Sequence, residues 1–398
     1  MSPSLALQYT RIGVLGGGQL GRMLGLAGVP MGLRFTFLDP DPQSPAAAVG
    51  DLIVAPFDDA GALDRLASAC DVATVEFESV PAAAAQRIAA RVPMAPPPAS
   101  LETAQDRIAE KSLIRDLGIP VAAFATIDHA DDVSRAIETV GLPAIVKTRR
   151  FGYDGKGQRH VRTLEEAQRA AADLGGAGLI AEQFVRFARE VSILAARGRS
   201  GEIACYPLVE NVHTKGILSL SRAPAPRVAP RMQSQAEGYA RRVLEHFEYV
   251  GVMAIEFFDD GAGGLIASEM ACRVHNSGHW TIEGAETSQF ENHLRAILGL
   301  PLGPTAAVGC SAMINLIGSI PDAAAQTAIL GTAGAHLHLY GKSPRMGRKV
   351  GHITLCAPGD SMLEDRLAVV QRALGASPKR AVSPTAKARA EGLEPSTS

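Results

Sequence analysis

The sequence predicts a protein of mixed α/β and α+β class, with a parallel-sheet domain, a larger domain built around a β-hairpin, and a small, mainly β domain. Three observations lead there. Residues 11–39 read as strand, glycine turn, helix, strand. Residues 252–281, VMAIEFFDDGAGGLIASEMACRVHNSGHWT, set two apolar runs on either side of a polar, glycine-rich turn, the pattern of a hairpin with a longer loop. Residues 310–356 alternate short β runs with turns. At 398 residues the chain exceeds what one hydrophobic core usually holds, so two or three domains are expected. Their boundaries are read at 1–98, 99–300 and 301–375, followed by a Ser-, Pro-, Ala- and Lys-rich tail over 376–398 that reads as disordered.

In the first domain, Arg11 to Leu15 form a β run, Gly16 to Gly21 match G-x-G-x-x-G, and Arg34 to Leu38 make the next strand, ending at Asp39. Such glycines let the backbone approach a phosphate at a helix N-terminus, and the same spacing describes a nicotinamide-binding Rossmann unit. Further strands at Leu52–Val54 and Val72–Phe77 continue a Rossmann-like parallel sheet, whose fourth strand ends at Glu76 and Glu78. Ligands gather at that edge of such sheets.

A helix is expected from Glu102 to Leu117, stopped by Gly118 and Pro120, with Glu102 and Asp106 as charges near its N-terminus and Lys111 in solvent. Another spans Asp131 to Val140. The run Ala144–Lys147 is a buried strand ending in lysine, and residues 148–158, TRRFGYDGKGQ, form a glycine-rich, basic loop able to fold over polyphosphate. Thr163 and Glu166 read as a capping box opening a helix that runs to Leu174. A strand from Leu179 to Val185 carries an exposed acid, and Glu190 opens the next. His213, between Val212 and Thr214, reads by itself as an ordinary strand histidine.

Each hairpin strand carries one acid among apolar neighbours, Glu256 and Glu269. A carboxylate there either faces water or meets a cation, and Mg²⁺ bound by two carboxylates plus substrate phosphates is the natural candidate. After Glu269, the run from Arg273 to Trp280 packs a cation, two imidazoles, an amide, a hydroxyl and the chain's only tryptophan into eight residues, the density of a substrate loop. A helix follows from Ser288 to Leu298. In the third domain, Lys342, Arg345, Arg348 and Lys349 place four cations in eight residues, either a phosphate site or a solvated turn.

Composition removes several classes. With 46% hydrophobic and 20% charged residues, a formal net charge of −2 and no long basic run, binding to nucleic acid or a membrane surface is not indicated. Five scattered cysteines without a C-x-x-C argue against disulfides and zinc and suit a reducing cytoplasm. No apolar run approaches the ~18 residues of a membrane span.

The order of these parts resembles the ATP-grasp superfamily. More narrowly, YDGKGQ at 153–158, RVHNSGHWT at 273–281 and GRKVGHI at 347–353 resemble the N5-carboxyaminoimidazole ribonucleotide synthases of purine biosynthesis, over residues 11 to about 370. The resemblance implies an ATP-dependent carbon–nitrogen ligase that carboxylates 5-aminoimidazole ribonucleotide with bicarbonate, as a cytoplasmic homodimer. The nearest alternative is a formate-dependent glycinamide ribonucleotide transformylase. An NAD-dependent oxidoreductase leaves the flap, the glutamate pair and the histidine loop unexplained.

By the same resemblance, ATP is held by Arg107, Lys147, the flap residues Gly152, Tyr153, Asp154, Gly155, Lys156, Gly157 and Gln158, the run Glu182, Gln183, Phe184 and Val185, and by Glu190, His213, Ser268 and Glu269. Glu256 and Glu269 hold Mg²⁺. Arg273, Tyr153, Asp154 and His275 are implied to be catalytic, with Asn276 and Ser277 beside them. Lys342, Arg345, Arg348 and Lys349 are implied to clamp the ribonucleotide phosphate, and Gln19, Leu20 and Glu76 form the opposite wall. Three positions depart from the family pattern: Ser268 stands for Asn, Cys272 for Pro, and Phe151 for a flap glycine. Packing is the expected role of Cys272.

Overall fold

The computed structural model describes residues 10–150 and 157–375, and the counts below refer to them. The flap residues Phe151 to Lys156 and the tail over 376–398 lie outside that set.

The first domain forms the expected parallel sheet from β1 (Arg11–Leu15), β2 (Arg34–Asp39), β3 (Asp51–Val54) and β4 (Val72–Val75), in the order β3-β2-β1-β4. β1 lies inside this sheet, and only its first residue is exposed. That two-sided burial explains its continuous apolar run. Glu76 and Glu78 follow directly after β4 at the carboxyl edge.

Next come β5 (Phe124–Ile127), β6 (Ala144–Thr148), β7 (Gln158–Val161) and β8 (Leu179–Gln183), an antiparallel sheet in the order β5-β8-β6-β7. The helices Val133–Val140 and Leu164–Asp173 cover it, burying Val133, Ile137, Val140, Ala167 and Ala171 against Val146 and Ala181. Thr163 caps the second helix through Glu166 N, but the Glu166 carboxylate accepts from Arg162 N, so the box forms on one side only.

The expected helix over 102–117 is two helices, Pro98–Ala104 and Arg107–Asp116. Asp106 divides them. Its carboxylate accepts from Ile108 N and Ala109 N, the local hydrogen bonding that starts a new helix.

The remaining strands are β9 (Arg189–Arg197), β10 (Ile203–Cys205), β11 (Val209–Thr214), β12 (Ile217–Ala223), β13 (Gly251–Asp259), β14 (Leu265–Ala271), β15 (Cys310–Ile317), β16 (Ala335–Leu339) and β17 (Lys349–Ala357). They make one nine-stranded sheet, β14-β13-β9-β11-β12-β15-β17-β16, with β10 beside β9. The strand-rich C-terminal region is therefore joined to the central sheet, with Leu220 of β12 opposite Ile314 of β15. It also carries two helices the pattern did not reveal, Ala323–Leu330 and Asp360–Ala373. The first is half alanine and lacks an amphipathic period to read.

Candidate active site

The hairpin brings Glu256 and Glu269 directly opposite one another, and a bulge follows that leaves Ser268 as the extra residue of β14. Glu256 is half-buried, and its pKa is pushed up to about 7, first by desolvation and then by the charge of Glu269. His275 Nε2 stands 3.6 Å from its Oε1. Arg107 reaches the other carboxylate, 3.8 Å from Glu269 Oε2. Adjacent side chains of the helix Arg107–Asp116 brace the bulge. Lys111 Nζ donates to Ser268 O at 3.1 Å, and Met270 N donates to Glu110 Oε1 at 2.6 Å. The expectation of a solvated Lys111 is thus overturned: its side chain is 2% exposed and lies 3.2 Å from Glu182.

Glu182 is likewise not the exposed acid expected. It is buried, and the same Oε2 takes Lys147 Nζ at 2.9 Å. Burial would raise its pKa, but Lys147 and Lys111 outweigh that and hold it at about 2. The strand ends at Gln183, after which Phe184 and Val185 enter the cleft wall. Glu190 and His213 meet across β9 and β11, with 3.0 Å between Glu190 Oε2 and His213 Nδ1. Thr148 N donates to Gly157 O at 2.8 Å, which closes the base of the flap. Gln158 lies on the cleft, whereas Gly152, Tyr153, Asp154, Gly155 and Lys156 fall outside the described residues.

At the other end, the glycine turn already holds an anion of the protein's own. Gly18 N donates to Glu76 Oε1 at 2.7 Å and Gly21 N to Oε2 at 3.3 Å, while Gly17 N donates to Asp39 at 2.8 Å. Gly16 has φ +100°, and a Cβ there would lie 2.7 Å from Glu76, so the glycine serves this carboxylate. A dinucleotide pyrophosphate would need that same helix N-terminus, which removes the ground for the oxidoreductase reading. Burial raises the pKa of Glu76, opposed by the Gly18 amide and by Lys342. Lys342 donates to Gln19 and so links the basic loop to the first domain, beside Leu20.

Between the two ends, Arg273 pairs with Glu78 at 3.1 Å. Burial, reinforced by the Arg273 and Lys349 charges, drives the pKa of His275 well down. Asn276 turns its amide to Asn315 of β15 in two hydrogen bonds of 3.0 and 2.7 Å. Ser277 is fully buried under the loop. Cys272 is buried as well, and burial raises its thiol, so packing is its role. His279 and Trp280 are core residues.

Among the described residues, every candidate site residue read from the sequence except Gly157 and Ser277 lines one cleft of about 2440 Å³, well beyond the ~1,000 Å³ upper range for a single small ligand. Sequence reading missed Glu110, Asn211 and Asn315. A signal existed for Glu110 and Lys111: Arg107, Glu110, Lys111 and Ile114 share one helix face, and Ile114 is a core position. No such signal marks Asn315.

Comparison with known proteins accords with this geometry. Residues 9–105 match a ribonucleotide synthetase preATP-grasp domain, 112–290 an ATP-grasp domain, and 311–366 the phosphoribosylaminoimidazole carboxylase C-terminal domain. An N5-carboxyaminoimidazole ribonucleotide synthase of Pseudomonas aeruginosa is 52% identical over 361 residues, covering 91% of this chain and 98% of the relative. The chain belongs to the N5-carboxyaminoimidazole ribonucleotide synthase family. The synthetase of Thermus thermophilus shares 56% identity at a TM-score of 0.89, covering 93% of this chain and all (100%) of that one. The Aspergillus clavatus synthase, solved with ADP and 5-aminoimidazole ribonucleotide, shares 32% identity at a TM-score of 0.85, covering 92% and 100%.

Proposed function

We propose that the chain carboxylates the exocyclic amine of 5-aminoimidazole ribonucleotide with bicarbonate and ATP. One observation carries this: a single cleft runs from the Lys147–Glu182 and Glu190–His213 pairs, past Glu256, Glu269 and Arg273, to Gln19 and Lys342. Bicarbonate is a poor electrophile until one oxygen becomes a leaving group. Its oxygen attacks the γ-phosphorus of ATP, the bond to ADP breaks, and carboxyphosphate forms. The amine nitrogen then bonds to the carboxyl carbon as the carbon–oxygen bond breaks and phosphate leaves, with the amine proton lost to solvent or phosphate.

The residues take the following parts. Lys147 meets the ATP phosphates, Gln183 to Val185 face the adenine, and Glu190 accepts from the ribose, with Arg107, His213 and the flap closing the site. Arg273 binds carboxyphosphate through its planar fork, which requires the fork to leave Glu78. His275 and Asn276 lie beside it, with Tyr153 and Asp154 supplied by the flap. Lys342, Arg345, Arg348 and Lys349 bind the ribonucleotide phosphate, opposite Gln19, Leu20 and Glu76. The hairpin fits Mg²⁺: two opposed carboxylates, one of them half-buried with a raised pKa, need a cation. Among the described residues no cluster of three or more potential ligands forms an all-protein cage, which suits an ion completed by substrate phosphates. When bound, Mg²⁺ neutralises charge on the transferring phosphoryl group. The same reading takes the chain as a cytoplasmic homodimer; among the described residues no helix is long and apolar enough to cross a membrane.

Phosphate release from Mg-ATP tests the reading, with bicarbonate and 5-aminoimidazole ribonucleotide supplied together and separately. Turnover is expected to require both. Turnover needing neither, or none with both, overturns it.

A further inference from the structure

Beneath the histidine loop lies a file of buried polar side chains to which the reaction above gives no part. Ser192 of β9, Asn211 of β11 and Ser221 of β12 sit side by side across three central strands, each 3% exposed or less. Ser221 Oγ donates to Asn211 Oδ1 at 2.8 Å, Asn211 Nδ2 donates to Ser192 Oγ at 2.9 Å, and Ser192 Oγ donates to Ser277 Oγ at 2.8 Å. Ser277 Oγ in turn lies 2.8 Å from His275 Nδ1.

The direction of this file is set by the one member that cannot turn. The backbone N–H of Ser277 points at the same Nδ1, 3.3 Å away. A backbone amide only donates, so Nδ1 accepts and carries no proton. The ring is then a neutral imidazole with its proton on Nε2. Ser277 directs its hydroxyl proton to Nδ1 and takes one from Ser192, which takes one from Asn211, so the amide oxygen faces Ser221. Ser192 and Ser277 thereby each accept one hydrogen bond and donate one, which satisfies both hydroxyls in a low-dielectric interior.

We infer that Ser192, Asn211 and Ser221 are positioning residues that, by holding the Ser277 hydroxyl proton directed at Nδ1 beside the Ser277 backbone N–H, keep His275 as the Nε2–H tautomer. In the reaction proposed above, on which this step rests, His275 is then a hydrogen-bond donor to the bicarbonate-derived anion and not a base. Its Nε2 faces the cleft beside Glu256, where such a donor meets developing negative charge.

The tautomer is read without turnover, by long-range proton–nitrogen NMR on ligand-free protein labelled with ¹⁵N in its ten histidines. The His275 signals are identified by their loss in His275→Gln. A pyridine-type Nδ1 and a pyrrole-type Nε2 are expected; a pyrrole-type Nδ1 overturns the inference. Ser192→Ala cuts the file next to Ser277, and Asn211→Ala cuts it one step further back. Each should make the Nδ1–H form detectable and lower kcat roughly 3- to 10-fold, the scale of one neutral hydrogen bond, with the KM for ATP within about twofold. A tautomer or a kcat that stays at its wild-type value in both variants overturns the inference. A wild-type protein with the expected tautomer and no carboxylation would instead sink the proposed function.

Discussion

Glu256 and Glu269 share one ladder position but not one environment. The Glu256 side chain is 17% exposed and that of Glu269 48%, so the first is held in the floor and the second projects into the cleft. Glu269→Gln keeps size and strand pairing while removing one anion, and kcat should fall on the order of 10²-fold or more, a few kcal/mol of transition-state stabilisation. Excess Mg²⁺ should recover more of the loss in Glu256→Gln than in Glu269→Gln if, as in the proposed reaction, the Glu269 charge also aligns the phosphoryl group. A folded Glu269→Gln protein with wild-type turnover at limiting Mg²⁺ would contradict both roles. The two acids were legible because each interrupts an apolar strand. Their different burial was not, since it depends on the bulge at Ser268 and on Arg107, far away in the chain.

At the scale of elements, the helix Arg107–Asp116 braces β14, the strand of Glu269, and the loop between β16 and β17 reaches across the cleft to Gln19. Lys111→Met retains the stem and deletes the ammonium, leaving Ser268 O without its donor and Glu182 with Lys147 alone. Breaking a buried pair in this way typically costs about 3–5 kcal/mol. Equilibrium denaturation should therefore show a loss of about 3 kcal/mol, with a raised KM for ATP in whatever protein remains folded; unchanged stability would show that the brace carries no weight. In the loop, Arg348→Ala removes a charge-assisted contact and should raise the KM for the ribonucleotide at least tenfold while that for ATP stays within about twofold. Equal effects on both substrates would point to a general structural role.

At the scale of the whole molecule, one buried histidine ties the parallel sheet to the central one. His293, from the helix Gln289–Leu298, takes Val252 N at its Nδ1 (3.1 Å), and its Nε2 lies 2.8 Å from Thr74 Oγ1 on β4. Burial lowers its pKa from 6.5 to about 4. The unfolded chain thus takes up this proton before the folded one does. Stability is fully present above about pH 6.5 and declines as pH falls towards 4, by up to about 3 kcal/mol from this group. His293→Gln keeps a donor and an acceptor without titrating, so between pH 6.5 and 4 its stability should fall with a slope about one proton shallower. Urea denaturation across that range measures the slope, and an unchanged slope would show that another group sets the acid limb.

The sequence by itself determined the strand–glycine–helix opening, the strand ending at Lys147, the Glu256–Glu269 hairpin and the helix running to Leu298. Each is carried by short-range periodicity or by a turn residue, which the chain displays locally. Tertiary structure alone decided that Glu76 fills the glycine turn, that Lys111 and Glu182 are buried partners, that Asn276 belongs to Asn315, and that the C-terminal strands extend the central sheet. In each case a polar or charged group, or a strand edge, is satisfied by a partner tens of residues away. Burying such a group is tolerable only where that partner arrives, and no local pattern encodes its arrival.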